Sequence, residues 1–282
     1  MKVHFTKMHG TGNDFIIIDE RKGEIFSEEL KPKLAKMLCT RRFSIGADGL
    51  IFVCKAIKSE NDARMRIFNA DGSEAEMCGN GIRCFARYLE RDSVAKKMRV
   101  ETLAGIVEPE IVGDRVKVMM GKPIFECLKI PMKFAKDRCI EEKVKIEGVG
   151  EITLTAVSTG NPHAVIFVED VEKIDLEKIG PLIENSSLFP NRTNVHFVEV
   201  VSPKRIIMRT WERGAGATLA CGTGAVASVS AGYITKRTGK HVTARLPGGE
   251  LEIMLSAEKD EISCAYLIGN AEFVYEGEFE YE

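Results

Sequence analysis

The chain has 282 residues, of which 44 % are hydrophobic and 29 % charged, and its formal net charge is −2. This balance suits one large domain or two of ordinary size with a real core. With no basic face or Lys/Arg run it argues against nucleic acid or an anionic membrane surface as partner, and no segment is apolar over the ~20 residues of a membrane span.

The N-terminal MKVHFTKMHG has no apolar signal-type core and no small-residue cleavage site, so a cytoplasmic protein is expected. The first element follows at T-G-N-D-F-I-I-I, Thr11 to Ile18, a turn running into a strand over Phe15–Ile18. Leu30–Leu38 has helical spacing, and Leu50–Val53 and Arg64–Phe68 read as strands. M-C-G-N-G-I-R-C, Met77 to Cys84, opens a helix over Ile82–Leu89. Val116–Met120 is a further strand, after which Gly121-Lys122-Pro123 punctuates the chain.

A second T-G-N turn, T-G-N-P-H-A-V-I at Thr159 to Ile166, feeds a strand over Ala164–Phe167. Strands are predicted at Val195–Val201 and Arg205–Arg209. A-C-G-T-G-A-V-A, Ala220 to Ala227, opens a helix over Ala225–Tyr233, and strands at Leu251–Leu255 and Ser263–Ile268 follow.

The order repeats. Asn13 stands 65 residues before Cys78, and Asn161 stands 60 before Cys221. An aromatic and a polar residue, Phe68-Asn69 and Trp211-Glu212, lie at matching distances before the two cysteines. The period, near 145 residues, is about threefold too long for a solenoid and marks two related half-chains. The predicted fold class is α+β: two pseudo-symmetric lobes, each a mostly antiparallel curled sheet around a central helix, with the active site in the cleft between them. The predicted division is residues 1–122, with 266–282 returning to that lobe, and residues 123–265.

Eight cysteines in a cytosolic chain are expected to be reduced. With no C-x-x-C pair and five scattered histidines, no metal site is expected. A single C-G-x-G reads as a tight turn with a buried cysteine. Two copies at matching places read as one thiol per lobe. Each sulfur would sit at a helix N-terminus, where unpaired N–H groups and the helix dipole favour an anion. A cysteine so placed is expected to ionise at about pH 3.5–7.5. Glycines allow backbone N–H groups to approach a carboxylate. Two thiols on opposite faces of one carbon suit a reaction in which one removes a proton and the other returns one, inverting the centre. A redox pair is the competing reading.

K-M-H-G-T-G-N-D-F (Lys7–Phe15), F-N-A-D-G-S-E-A-E-M-C-G-N-G-I-R (Phe68–Arg83), G-N-P-H (Gly160–His163), N-R-T-N-V (Asn191–Val195) and E-R-G-A-G-A-T-L-A-C-G-T-G-A (Glu212–Ala225) together resemble the diaminopimelate epimerase family over nearly the whole chain. The resemblance implies an isomerase that interconverts LL- and meso-diaminopimelate in lysine and peptidoglycan-precursor biosynthesis. It further implies that no cofactor is needed, neither pyridoxal phosphate nor a metal, and that the protein is a homodimer.

Residue by residue, it implies that Cys78 and Cys221 are the acid/base pair. Gly79, Asn80, Gly222 and Thr223 would bind the carboxylate at the reacting carbon, while Asn13, Asn69, Asn161 and Asn194 hold amino and carboxyl groups. Glu212 and Arg213 would clamp substrate ammonium and carboxylate, and His163 would tune a neighbouring thiol. Gly49 departs from the pattern, since some members carry glutamine there. The alternatives are a proline racemase-like enzyme, which needs no distal carboxylate site, and a phenazine-biosynthesis-like isomerase, which uses a carboxylate in place of the thiols.

Overall fold

A computed structural model describes residues 1–92 and 95–281. The chain forms two compact units, Met1–Val118 with Gly269–Glu282, and Met119–Ile268.

The first unit contains β1 (Lys2–Gly10), β2 (Asn13–Asp19), α1 (Lys31–Cys39), β3 (Gly49–Cys54), β4 (Ala63–Asn69), β5 (Glu74–Ala75), α2 (Gly79–Glu90), β6 (Val100–Thr102) and β7 (Gly105–Val107). Next come β8 (Glu110–Val112) and β9 (Arg115–Gly121), paired as a hairpin. The second unit contains β10 (Glu142–Ile146), β11 (Gly150–Ser158), β12 (Pro162–Val168), α3 (Leu176–Glu184), β13 (Asn194–Ser202), β14 (Arg205–Glu212), β15 (Gly216–Thr218), α4 (Gly222–Ile234), β16 (His241–Leu246), β17 (Gly249–Glu258) and β18 (Glu261–Asn270). The last strand, β19 (Glu272–Glu280), returns to the first unit.

The first sheet has the order β19-β1-β2-β3-β4-β6-β7, with β5 paired to β4. The second runs β10-β11-β12-β13-β14-β16-β17-β18, with β15 paired to β14. Most neighbours are antiparallel. In each sheet two pairs are parallel: β2 with β3 and β4 with β6, then β12 with β13 and β14 with β16. Each parallel pair is bridged by a segment that contains a helix, as parallel neighbours require.

The sequence duplication is thus a duplication of topology. Strands β1 to β7 with helices α1 and α2 match β11 to β17 with α3 and α4, in the same order and with the same strand directions. The ladders agree residue for residue. Phe15 lies opposite Gly49, and His163 opposite Asn194. Leu50 lies opposite Phe68, and Val195 opposite Trp211.

Strand alternation places two helices on each sheet. Ile16, Ile18, Leu50, Phe52 and Phe68 bury against Leu34, Ala35 and Leu38 of α1. In the second unit, Ala164, Ile166, Val195 and Phe197 bury with Leu176 and Ile183 of α3. Val157, Val165 and Val198 bury instead with Ala225, Val226 and Val229 of α4.

Candidate functional site

Cys78 and Cys221 are the N-cap residues of α2 and α4. Both are extended, with φ −137° and ψ 122° at Cys78 and φ −127° and ψ 105° at Cys221. Each sulfur accepts from the third helical N–H, Gly81 N to Cys78 Sγ at 3.4 Å and Gly224 N to Cys221 Sγ at 3.4 Å. The thiols thereby take the place of the oxygen that usually caps a helix. The two N–H groups ahead of those, on Gly79 and Asn80 and on Gly222 and Thr223, have no intrahelical acceptor. They and the helix dipole point at any anion held in the turn.

At the third position close approach requires glycine in α4, and leaves a tighter than usual contact in α2. A Cβ on Gly224 would lie 2.2 Å from Cε1 of His196, and one on Gly81 would lie 3.0 Å from Cδ1 of Ile67 and 3.4 Å from Cδ1 of Ile51. His196 and Thr210 occupy the ladder places that Ile51 and Ile67 hold in the first unit.

Around Cys78, Asn13 begins β2. Its Nδ2 donates to Oδ2 of Asp48 at 2.8 Å, and its Oδ1 accepts from Nδ2 of Asn80 at 3.1 Å and faces Cys78 Sγ at 3.9 Å. Asp48 and Asp14 share the Arg41 guanidinium, and Lys7 pairs with Asp14 at 2.8 Å. Burial opposes ionisation of Asp14, but hydrogen bonds from Arg41 and Lys7 overcome it and hold the carboxyl at about 2. Asn69 ends β4, exposed, with Nδ2 donating to Oγ of Ser73 at 2.9 Å.

Sequence reading missed Arg83, which is fully buried in α2. Its guanidinium donates to Gly79 O at 3.0 Å, Thr11 Oγ1 at 2.9 Å and Asn270 O at 3.2 Å, so it ties the helix start to the Thr11 turn. Thr11 has a left-handed φ of 58° and Gly12 one of 81°; the arginine bond offsets part of the strain at Thr11. The Arg83 charge also reaches the Cys78 sulfur.

Around Cys221 the support is different. His163 and His196 are both fully buried. His163 Nδ1 meets His196 Nε2 at 2.8 Å, and His196 Nδ1 meets Thr210 Oγ1 at 3.0 Å. His163 Nε2 meets Asn161 Oδ1 at 2.8 Å and Thr159 Oγ1 at 3.0 Å. Thr159 in turn donates to the Thr223 carbonyl at 3.5 Å. His163 therefore reaches the thiol turn through Thr159. Burial keeps both imidazoles neutral, with His163 well below the ordinary histidine range and His196 down to about 3.

Asn194 begins β13 and is committed within the protein: its Nδ2 donates to Pro162 O at 2.8 Å and its Oδ1 accepts from Arg213 N at 3.0 Å. Glu212 ends β14, and its Oε1 accepts from Thr218 Oγ1 at 2.6 Å. Exposed Arg213 sends Nη1 to Asn191 O at 3.1 Å. Beneath this turn lies a second group missed in the sequence, Glu184, only 5 % exposed. It accepts from Gly214 N at 3.0 Å, Arg192 Nη1 at 3.1 Å and Trp211 Nε1 at 2.7 Å.

The expected depression of thiol ionisation does not hold at Cys221. Burial pushes this thiol well above its ordinary value, and the neighbouring Glu212 carboxylate adds to the effect; bonds from Thr223 and Gly224 only partly oppose it. Desolvation outweighs the helix N-terminus at a site 3 % exposed. Gly49 also has a local reason. A Cβ there would lie 3.0 Å from the Phe68 carbonyl oxygen and 3.3 Å from the Phe15 ring.

A duplicated α+β fold with a thiol capping one helix in each half is a recognisable class. The fold is shared with a Bacillus anthracis phenazine biosynthesis protein of the PhzF family, at TM-score 0.72 and 17 % identity over the full length of both chains. It is shared as well with a hydroxyproline epimerase from Agrobacterium vitis, at TM-score 0.70 and 14 % identity over 99 % of this chain and 91 % of that one. Sequence is more specific. The family model described as diaminopimelate epimerase matches residues 5–126 and 155–274. Diaminopimelate epimerases from Methanothermobacter thermautotrophicus (52 % identity, 97 % of both chains) and Halothermothrix orenii (49 %, 98 % of both) align end to end. The chain belongs to the diaminopimelate epimerase family.

Proposed function

We propose that the chain is an isomerase that epimerises diaminopimelate between its LL and meso forms, with Cys78 and Cys221 as the acid/base pair and no cofactor. The observation that carries the reading is the duplicated cap. Both halves put a thiol and two N–H groups without an intrahelical acceptor at a helix start.

The two thiols rest in different fields. Arg83, fully buried, lies within Coulombic reach of the Cys84 and Cys78 sulfurs, while burial and Glu212 keep the proton on Cys221. In one direction Cys78, as thiolate, takes the α-proton from one face and Cys221 gives its own to the other. The product leaves Cys78 protonated and Cys221 ionised, which is the form that runs the reverse reaction. Each group of this kind contributes about 10²–10⁴-fold. Gly79, Asn80, Gly222 and Thr223 supply N–H groups to the α-carboxylate, and Asn13, Asn69, Asn161 and Asn194 line or brace the ligand. Arg213, with Glu212 beside it, reads the distal carboxylate and ammonium. His163 acts on the thiol turn through Thr159.

A proline racemase-like activity is the second reading, favoured only by the shared fold. The relatives at about 50 % identity and the Glu212-Arg213 pair favour the longer substrate. No helix among the described residues is long and apolar enough to cross a membrane. We place the protein in the cytoplasm, as a homodimer without nucleic-acid or membrane partners; light scattering tests the dimer.

The deciding experiment is turnover of LL-diaminopimelate in deuterated water by protein dialysed free of small molecules, with proline assayed alongside. Label at one α-carbon, lost in Cys78→Ala and in Cys221→Ala, is expected. Turnover of proline alone, dependence on pyridoxal phosphate, or full activity in either variant would overturn the reading.

A further inference from the structure

We propose that His196, anchored by Thr210, is a positioning residue that fixes His163 as its Nε2–H tautomer and so locks Asn161 with its carbonyl inward and its NH2 group toward the ligand, making this a carboxylate-binding position. The inference rests on the epimerase reading above and goes further into its site.

The direction of the chain follows from donor counting. Asn161 Oδ1 is an acceptor only, so His163 Nε2, 2.8 Å away, must carry the hydrogen. A neutral ring with hydrogen on Nε2 accepts at Nδ1, so His196 Nε2, at 2.8 Å, donates to it. By the same step His196 Nδ1 accepts from the Thr210 hydroxyl at 3.0 Å. Burial of both rings removes the doubly protonated alternative, in which His163 Nδ1–H would face the His196 Nε2–H, donor against donor. Thr159 Oγ1 lies 3.4 Å from the same oxygen. Among the described residues, no hydrogen bond uses Asn161 Nδ2, and the residue is half-buried.

The matching asparagine of the first half is set the other way. Asn13 gives its NH2 to the Asp48 carboxylate and turns Oδ1 toward the thiol turn. Phe15, Ile51 and Ile67 stand where His163, His196 and Thr210 stand, and these three side chains cannot orient an amide. The two equivalent positions thus present opposite ends of the same side chain, an acceptor from Asn13 and a donor from Asn161. An amino acid, with one ammonium and one carboxylate on the reacting carbon, needs such a difference.

The test is a long-range proton–nitrogen spectrum of 15N-histidine-labelled, ligand-free protein at neutral pH. His163 and His196 are both expected as neutral Nε2–H tautomers, each assigned by loss of its signals in His163→Gln or His196→Gln. An Nδ1–H tautomer or a charged ring at either residue overturns the proposal. Kinetics give the second arm. Glutamine can donate to His163 and accept from Thr210, so His196→Gln should keep KM within about threefold. His196→Leu breaks the chain and should raise KM for diaminopimelate about tenfold or more, with kcat changed less. Equal losses in the two variants would mean a packing role only and overturn it. If His196→Leu fails to fold, the wild-type spectrum still decides. Wild type that shows these tautomers without epimerising diaminopimelate would instead overturn the functional reading and leave the tautomers standing.

Discussion

The halves of this molecule share a topology and differ in what supports the thiol turn. Under Cys78 lie Ile51 and Ile67, with a buried guanidinium, Arg83, bonded to the helix start and the Thr11 turn. Under Cys221 lie His196 and Thr210, and the place of Arg83 is taken by the buried Val226. One half is braced by a cation among apolar groups, the other by a neutral hydrogen-bonded chain. Duplication therefore preserved backbone and thiol while charge diverged.

The comparison breaks most visibly at Arg83. Arg83→Met leaves Gly79 O, Thr11 Oγ1 and Asn270 O without their donor, and a loss of at least about 3 kcal/mol is expected in urea unfolding. Val226→Ala at the matching place should cost about 1–3 kcal/mol, the price of a small cavity. If the two are equal, Arg83 is a packing residue.

The next contrast is between the equivalent glycines. Gly224→Ala drives a methyl into the His196 ring and should cost about 1–3 kcal/mol or more. Gly81→Ala meets the ends of two isoleucines and, at ordinary contact distance, Cys78 Cβ, and the gain in helix propensity of about 1 kcal/mol offsets the contact. Thermal melting of the pair orders them.

The neutral histidine chain predicts an acid limit peculiar to the second half. Both rings ionise less readily folded than unfolded, so their contribution is complete above about pH 6.5 and falls as pH drops below it. At pH 5.5 each ring should have given up about 1.4 kcal/mol. Urea unfolding at pH 7 and 5.5 should show a smaller difference in His196→Gln, and an unchanged one would show that the rings do not carry the limit.

Smaller effects are expected at the carboxylates. Glu184→Gln loosens the turn that displays Arg213 and should raise KM about three- to tenfold with kcat nearly intact. Glu212→Gln removes a negative charge beside Cys221 and should speed its alkylation at pH 7. No change in rate would place the carboxylate outside the thiol's field.

Much of this was legible in the sequence, for reasons tied to particular residues. The helices foreseen at Ile82–Leu89 and Ala225–Tyr233 are the interiors of α2 and α4, and Leu30–Leu38 is α1 shifted by one residue. The repeated T-G-N and C-G-x-G turns gave away the duplication, because glycine turns survive when strands drift. Helix α3 was not foreseen; it carries Gly180-Pro181 in its interior, two residues that disfavour a helix. Gly180 is there because a Cβ would lie 2.5 Å from the Trp211 ring. Strand β1 was hidden where its alternation slips at Lys7/Met8, and β19 by its glutamates and exposure. At the site, Cys78 and Cys221 were singled out by their repeated glycine turns, and Glu212 and Arg213 by the family resemblance. His196 and Arg83 did not, since each sits in an apolar run whose pattern says nothing of the partner its polar atoms meet. A lone histidine in Asn-Val-His-Phe, two residues after Asn194, was the signal available.

Strand β19 has a bearing on biogenesis. It flanks β1 along Lys2–His9, so the sheet that starts the chain is finished by nearly its last residues. The unit Met119–Ile268 is continuous and lies wholly upstream of β19. During synthesis the middle of the polypeptide is therefore free to mature on the ribosome while β1 waits with a bare edge, an invitation to mispairing. Protease protection of stalled nascent chains should appear over Met119–Ile268 first, and early protection of β1 would contradict this order.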